Sequence, residues 1–505
     1  MAALRLVYQH NRRGDYGFFD DGSSLGKRQA DVLRAKLLVE PTDALRLMFT
    51  AEKTDESATG TIQIPGQPNR PTYRNVANQL TVANRVTDPR SGEGQSVEAE
   101  FYTFTATQQV ASGELKFVAS HRKFDIETTS TLPPLIGYTV QNKPGNRNTA
   151  LELQYNGSVF NDVVDIAAGL YYFEEKVREL QQSYRYNGVK YADRDLAVKV
   201  KSKSAYIQGT GDLAEGLNLT LGLRYTDDRK VGDLIFNAVP LNRLVQTENK
   251  LIYLATIDYP PVRHMMVYAT TSTGYRSGGP GVDPNPTNAR FPAEFLPEEV
   301  RNYEVGFKGR AFDRKLQLNV AAFHQKFTDY QYTAIVNLNR IIQNASAKIK
   351  GFEADATVFV GGNTSLTGSV GYVDAKVADG ARPSENGFAL PNVPSWTWSA
   401  NLSHTIQIAG GALDLVANYS WRDRFSTTLG TRTDPRDEER DSNVGSIGLL
   451  NMPATYKIDG YSVGIFANNL TNEKYYTYIT DSKPSISFAQ LGLPRILGAR
   501  ARFEF

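Results

Sequence analysis

The chain has 505 residues, 22% of them charged, and a net charge of only +2. That balance excludes a polybasic nucleic-acid binder, and the lack of any cysteine excludes a disulfide scaffold or a thiolate metal site. The length is several times the ~100–150 residues of an ordinary domain, yet no linker rich in proline, glycine or serine divides it, so one large β structure is the economical reading.

The start, Met1-Ala-Ala-Leu-Arg, runs straight into the strand-like Leu4–Tyr8, without the apolar core or cleavage site of a secretory signal. The longest apolar stretch, around Ile166–Phe173, falls far short of the ~18 residues of a membrane helix. Near 196–201, Leu196, Val198 and Val200 alternate with Lys199 and Lys201. Over 217–225, Leu217, Leu219, Leu221, Leu223 and Tyr225 oppose Asn218, Thr220, Gly222 and Arg224 without exception. Leu316, Leu318, Val320 and Ala322 oppose Gln317 and Asn319 in the same way. In the last run Leu497, Ala499, Ala501, Phe503 and Phe505 oppose Arg500, Arg502 and Glu504.

Leucine and valine outward with lysine and arginine inward is upside down for a small soluble barrel, whose interior needs apolar filling. It suits a barrel in lipid with a wide interior. Lys199, Lys201, Arg224, Arg500 and Arg502 are therefore expected to face inward. The mean hydropathy of −0.39 fits, because such a strand shows lipid only every second residue. A soluble antiparallel sandwich would carry fewer strands and shorter polar loops.

Tight turns are expected at Pro41–Ala44, Ala111–Gly113, Asn156–Asp162, Leu213–Gly216, Tyr259–Pro261, Phe312–Arg314, Gly361–Asn363, Ala409–Gly411 and Ile458–Gly460. Long loops are expected near residues 19, 75, 138, 187, 238, 288, 338, 385, 437 and 484. This gives an all-β, up-and-down antiparallel transmembrane barrel of about 20 strands, with both chain ends on the short-turn side, the periplasmic side in such barrels. Tyr171-Tyr172-Phe173, Tyr330, Tyr332, Tyr475-Tyr476, Trp396, Trp398 and Trp421 lie near strand ends that abut long loops, where an outer aromatic girdle is expected.

Several stretches resemble one family. Leu296-Pro-Glu-Glu-Val-Arg-Asn-Tyr-Glu-Val-Gly-Phe-Lys308, Phe466-Ala-Asn-Asn-Leu-Thr-Asn-Glu-Lys-Tyr-Tyr476 and Val267-Tyr-Ala-Thr-Thr-Ser-Thr-Gly-Tyr-Arg276 look like strands of the TonB-dependent outer-membrane receptor barrel. Gly498–Phe505 is similar to the terminal signal read by barrel-assembly machinery, with Gly498, Phe503 and Phe505 as its marks. The likeness runs from about Val39 to the end. It implies a monomer in the outer membrane of a Gram-negative bacterium, taking up a small ligand such as a ferric siderophore, with no enzymatic activity. Family members carry a signal peptide, a TonB-contacting box, a plug domain and 22 strands, a size described as having a plugged interior. Measured against that pattern, residues 1–505 are expected to form one barrel domain that lacks the plug and the first strands, and to act alone as a leaky pore or an inactive fragment. A TonB partner applies only to an intact protein with plug and box. The alternatives are a plug-less porin and a surface barrel that binds a ligand or phage.

Local chemistry adds little. His10, His121, His264, His324 and His404 lack ligand spacing, and neither a metal nor a cofactor is expected. Asp15, Asp20 and Asp21 lack the alternation of a calcium loop, Asp434–Asp441 reads as a solvated loop of mixed charge, and Gly278–Gly281 as loop punctuation. Tyr275 and Arg276 end a strand at the outer rim, where an inward guanidinium would meet an anionic ligand. Packing at the strand end explains the same two residues.

Overall fold

The computed structural model describes residues 1–15, 17–18, 24–59, 63–65, 94–110, 112–131, 138–185, 188–280, 294–336, 339–380, 383–429, 443–482 and 486–503. Twenty strands form one antiparallel meander. They are β1 (Ala2–Arg13), β2 (Arg28–Thr42), β3 (Leu45–Thr59), β4 (Gly94–Val110), β5 (Gly113–Thr131), β6 (Tyr138–Val159), β7 (Val164–Arg185), β8 (Lys190–Ala214), β9 (Leu217–Phe236) and β10 (Val239–Tyr259). The second half is β11 (Met265–Arg276), β12 (Glu298–Ala311), β13 (Leu316–Val336), β14 (Asn339–Val360), β15 (Thr364–Asp379), β16 (Trp396–Ile408), β17 (Gly411–Arg422), β18 (Ile447–Ile458), β19 (Tyr461–Asn468) and β20 (Ile496–Phe503). Each strand pairs with its sequence neighbours. Among the described residues β1 pairs only with β2, and β20 only with β19.

The nine expected tight turns all fall at strand junctions on one rim, with Ala111 outside the described residues and with Asn156–Val159 still part of β6, so that turn is shorter than expected. Positive backbone angles at Gly216, Gly361, Gly410 and Gly460 fit their residue types, and Asn161, Asp313 and Asp459 adopt the same region. The opposite rim differs from expectation. No long loop stands near 187 or 238: β7 and β8 continue outward to Arg185 and Lys190, and β9 meets β10 across Asn237 and Ala238. Likewise β13 reaches Val336 and β14 begins at Asn339, while Tyr138 already belongs to β6. Continuing the ladder beyond the membrane satisfies backbone groups that a loop would leave to water. The loop centres near 19, 75, 288, 437 and 484 lie outside the described residues, as do Asp20, Asp21, Asp434–Asp441 and Gly281.

The two faces follow the alternation. In β9, Leu221 (53% exposed), Leu223 (52%) and Tyr225 (49%) stand out, while Thr226 on the other face is buried. The same exposed apolar face carries Val305, Val320, Val463, Ile465 and Leu497. So much uncovered apolar side chain around one face is what lipid requires, and the inner face is polar: Asn218 donates to Asp258 at 2.9 Å and Asn319 to Asp355 at 2.7 Å.

Arg224, Arg500 and Arg502 do face inward, opposite the ladders of Leu223 and Leu497. Lys199 and Lys201 do not. Val200 stands opposite Lys230, and Leu196 opposite the buried Leu234, so this apolar face of β8 turns inward and its lysines outward. The reason is height. This part of β8 lies above the lipid belt, where the outer face meets water and headgroups and the inner face is covered by packed chain. The girdle also divides. Trp396 and Trp398 face lipid, with Trp396 4.7 Å from Tyr372 and Trp398 6.2 Å from Trp421, centroid to centroid. Tyr171, Phe173, Tyr330 and Tyr332 face the interior instead.

Residues 383–390 fold onto that inner wall. Leu390 is buried with Tyr332, Ala345, Ala347, Ala375 and Val377, and Glu385 accepts from the Tyr332 hydroxyl at 3.1 Å. A three-stranded sheet of Gln63–Pro65, Tyr476–Ser482 and Ile486–Leu491 links the connection between β3 and β4 to that between β19 and β20.

Candidate functional site

The inner wall of β6–β9 is built row by row. Glu152, Tyr171, Ser204 and Thr226 stand directly opposite one another across four strands. Tyr206 and Arg224 pair in the neighbouring row. Gly169 lies opposite Tyr206, and a Cβ there would come within 2.6 Å of the ring. The missing side chain lets the ring lie over β7 so that its hydroxyl donates to Glu152 at 2.8 Å. Arg224 sits 5.5 Å from the Tyr171 ring and 5.7 Å from the Tyr206 ring. It donates to Ser204 Oγ at 3.0 Å, and the Ser204 and Thr226 hydroxyls bond each other at 3.0 Å. The guanidinium is thus oriented by two aromatic faces and a hydroxyl pair.

Higher on the same wall, Tyr275 ends β11 and donates its hydroxyl to Asp228 of β9. The other Asp228 carboxylate oxygen is buried with no partner among the described residues. The ladder between β10 and β11 stops at Leu254 and Ser272, so the top of β11 is released from β10 while it stays paired with β12 as far as Arg276 and Glu298. Beyond it the chain is gripped at both ends of the segment that rises from β11. Lys230 donates to the Gly278 carbonyl, Gln331 donates to the Ser277 carbonyl at 3.1 Å and the Leu296 carbonyl at 3.0 Å, and Asn344 accepts from the Leu296 amide at 2.8 Å. Glu298 accepts from the Gln331 amide at 2.6 Å. Arg276 is exposed, opposite Glu298 in register. Its side chain has no ion-pair partner among the described residues.

The two site residues expected from sequence therefore have unlike surroundings: Tyr275 is fixed in a hydrogen bond and Arg276 is open. Glu152, Asp228, Lys230 and Gln331 were not found by sequence. The available signal was parity, since Asp228 and Lys230 continue the inward face that starts at Asn218. At the other end of the chain, Gly498 lies under Phe466, whose ring a Cβ would meet at 2.2 Å, and Phe503 packs against Tyr461 with centroids 4.5 Å apart and the rings tilted by 36° on the lipid face. Phe505 lies outside the described residues. Arg500 donates to the buried Thr455 at 2.7 Å. His10 meets Asp31 at 2.7 Å, His121 meets Thr149 at 3.0 Å, and His404 meets Thr364 at 2.7 Å, on separate strands.

A transmembrane meander of twenty strands, apolar outside, polar inside and short-turned at one rim, defines an outer-membrane type of barrel. Comparison with known proteins gives the family. The model for "TonB dependent receptor-like, beta-barrel" matches residues 11–470, and the chain belongs to that family. The ferripyoverdine receptor of Pseudomonas aeruginosa is 24% identical over 321 residues, which take in 61% of this chain and 36% of that receptor. The chain thus matches little more than a third of that relative's length. Among solved structures, the ferric yersiniabactin uptake receptor FyuA from Yersinia pestis superposes with a TM-score of 0.84 at 16% identity, covering 100% of this chain and 75% of the other. The siderophore receptor PiuA from Acinetobacter baumannii gives 0.77 at 15% identity, over 99% and 77%. These likenesses support the fold.

Proposed function

We propose that this chain forms the outer-membrane wall of a TonB-dependent receptor for an iron–siderophore-like ligand. One observation carries the reading beyond the family. The inner wall of β6–β9 and the rim above it hold an oriented cation, Arg224, between two aromatic faces, and an open cation, Arg276, beside a fixed tyrosine. Aromatic faces and guanidinium groups together suit a ligand that is both flat and anionic. Arg276 makes the first electrostatic contact from outside, and Tyr275 sets the position of the strand end that carries it. Gly498, Phe503 and Phe505 serve the assembly machinery that inserts the barrel. Coupling to TonB requires a plug and box.

Binding of radioactive iron complexes to the purified protein in detergent tests this. Catecholate, hydroxamate-peptide and citrate complexes are offered separately. Saturable retention of one class, weakened about tenfold or more by Arg276→Ala, is expected, as for loss of one charge-assisted contact. No retention of any ferric complex overturns the reading. Conductance without binding would mark a passive pore instead.

A further inference from the structure

Three contacts put the tops of β11 and β12 on the inner side of their neighbours. In the ladder of β10 with β11, from Tyr259–Val267 up to Leu254–Ser272, odd-numbered residues face lipid. Ile257 and Val267 are exposed there, whereas the Thr256 and Thr270 hydroxyls bond each other at 2.9 Å on the inside. By that parity Tyr275 belongs with Val267 on the lipid face. Glu299, directly opposite it on β12, belongs with the exposed Tyr303 and Val305. Yet Tyr275 donates to Asp228, and Lys250 donates to Glu299. Asp228 and Lys250 lie on the inner faces of β9 and β10, with the buried Thr226. Gln246, also inward on β10, donates to Glu294 at 3.2 Å. The outward faces of β11 and β12 therefore lie against the inward faces of β9 and β10, and the two tops overlap instead of standing side by side.

The overlap leaves an edge bare. Above Tyr253, β10 has a strand on its β9 side only, among the described residues. The first amide beyond the ladder, that of Tyr253, is taken by the Thr273 hydroxyl at 3.0 Å, where a continued ladder would offer the Thr273 carbonyl. Leu251 comes next on the lipid face and is 66% exposed, opposite Tyr225 of β9. Continuing the observed register would place Tyr275 opposite Leu251, Arg276 opposite Lys250 and Ser277 opposite Asn249. Tyr275 would then complete an outward row of Tyr225, Leu251 and Glu299 near the membrane boundary, where tyrosine sits well. The bare edge would recover its ladder. Two things oppose this register. One is the set of side-chain bonds that holds the overlap. The other is the meeting of Arg276 with Lys250, like charges at opposed positions of a sheet.

We infer that the top of β11, Thr273–Arg276, is a two-position strand: latched over the inner wall, as observed, or zipped onto the bare edge of β10. The top of β12 moves with it, since the two stay paired up to Arg276 and Glu298. Charge at Lys250 sets the balance. Latched, Lys250 is satisfied by Glu299 and Arg276 stays open. Zipped, Lys250 stands against Arg276 and needs an anion between them. An anionic ligand that engages Arg276 therefore favours zipping, which carries Arg276 from the rim to the wall and withdraws Tyr275 from Asp228. The source of that anion rests on the function proposed above; the two positions of the strand do not.

The test is disulfide formation between introduced cysteines in the full chain held in lipid vesicles, the parent having no cysteine of its own. Asn249→Cys with Ser277→Cys reads the zipped position, in which the two are directly opposed at a Cα spacing of about 5.5 Å. In the latched position Ser277 is held toward β13, where Gln331 donates to its carbonyl at 3.1 Å, while Asn249 is exposed on the outer face. Thr256→Cys with Thr270→Cys, opposed in the observed ladder, is the positive control and should bond in every background. Bonding of the 249–277 pair should rise about tenfold when Tyr275→Phe removes the hydrogen bond to the Asp228 carboxylate. Lys250→Glu, which repels Glu299 and attracts Arg276, should raise it at least as much. Lys250→Glu combined with Arg276→Glu should bring it back down, because like charges again meet in the zipped register while the bond to Glu299 stays lost. Equal rates in the parent, Tyr275→Phe and Lys250→Glu overturn the proposal. So does a charge-reversed double variant that bonds as fast as Lys250→Glu alone, or no 249–277 bond in any background where the control pair bonds. No ligand enters these measurements, so failure of the strand switch and failure of ferric-complex binding are separate results.

Discussion

Asp228 shows how parity places a residue without disclosing its partner. Its inward direction follows from the alternation that begins at Asn218, but Tyr275 reaches it from two strands away because the β10–β11 ladder ends early. Nothing in the local sequence marks that ending. Tyr275→Phe removes the carboxylate's hydrogen-bond donor while its second oxygen already lacks a partner. The expected cost is about 1–3 kcal/mol in denaturant unfolding. The pair Tyr275→Phe with Asp228→Leu should recover much of that loss, because both polar ends are then gone. A double variant as unstable as the sum of the two single ones would show that this bond is not what fixes the strand end. Arg276 was legible in a different sense. Its place at a strand end was readable, whereas its freedom from the nearby Glu298 depends on Gln331, 55 positions away, taking that carboxylate.

At the scale of a strand, alternation defines two faces but does not say which one meets lipid. For β9, β13 and β20 the chemistry of the two sets resolves it, because each pairs large aliphatics with amides or arginines along its membrane-crossing part. β8 carries the same contrast at Leu196–Lys201 and is inverted, since that part rises above the lipid. Polarity therefore reports the solvent at a given height, and the same strand changes sense along its length. Two substitutions measure this on adjacent strands. Leu223 of β9 is half exposed within the apolar ladder, and Leu223→Arg should destabilise the assembled barrel by about 2–4 kcal/mol if it lies near the bilayer midplane. Gln208 of β8 faces inward opposite Gly222, and Gln208→Arg should stay within about 0.5 kcal/mol of the parent. Urea titration in lipid vesicles gives both values, and equal costs would mean that the face assignment of this region is wrong.

The whole molecule raises a question that strand counting alone could not, namely how the first and last strands are disposed. The number of strands and the sense of each turn were readable from glycine, proline, asparagine and aspartate at regular spacing. The relation of β1 to β20 was not, because no sequence pattern encodes which distant edges meet. Among the described residues the two strands share no ladder, and β1 is exposed along nearly its full length, with Leu4, Leu6 and Tyr8 each 64–67% exposed. Unpaired backbone groups in hydrocarbon cost several kcal/mol each, so an open seam would be a strong destabiliser within the membrane. Outside it the picture differs, because Ile64 lies opposite Ala489 in the small sheet that ties the β3–β4 connection to the β19–β20 connection. The sheet therefore reaches past β1 and β2 and fastens the two sides together above the membrane. The absence of native cysteine makes this measurable by oxidation of introduced pairs. A disulfide needs Cα atoms within about 7 Å. Leu6→Cys should link to Ala35→Cys, its opposite on β2, and Ile64→Cys to Ala489→Cys. Leu6→Cys paired in turn with cysteine at Ala499, Ala501 or Phe503 should give no bond. A bond from any of those three would bring β1 and β20 together in the membrane, and the fastening by the outer sheet would then supplement a closed wall instead of holding an open one.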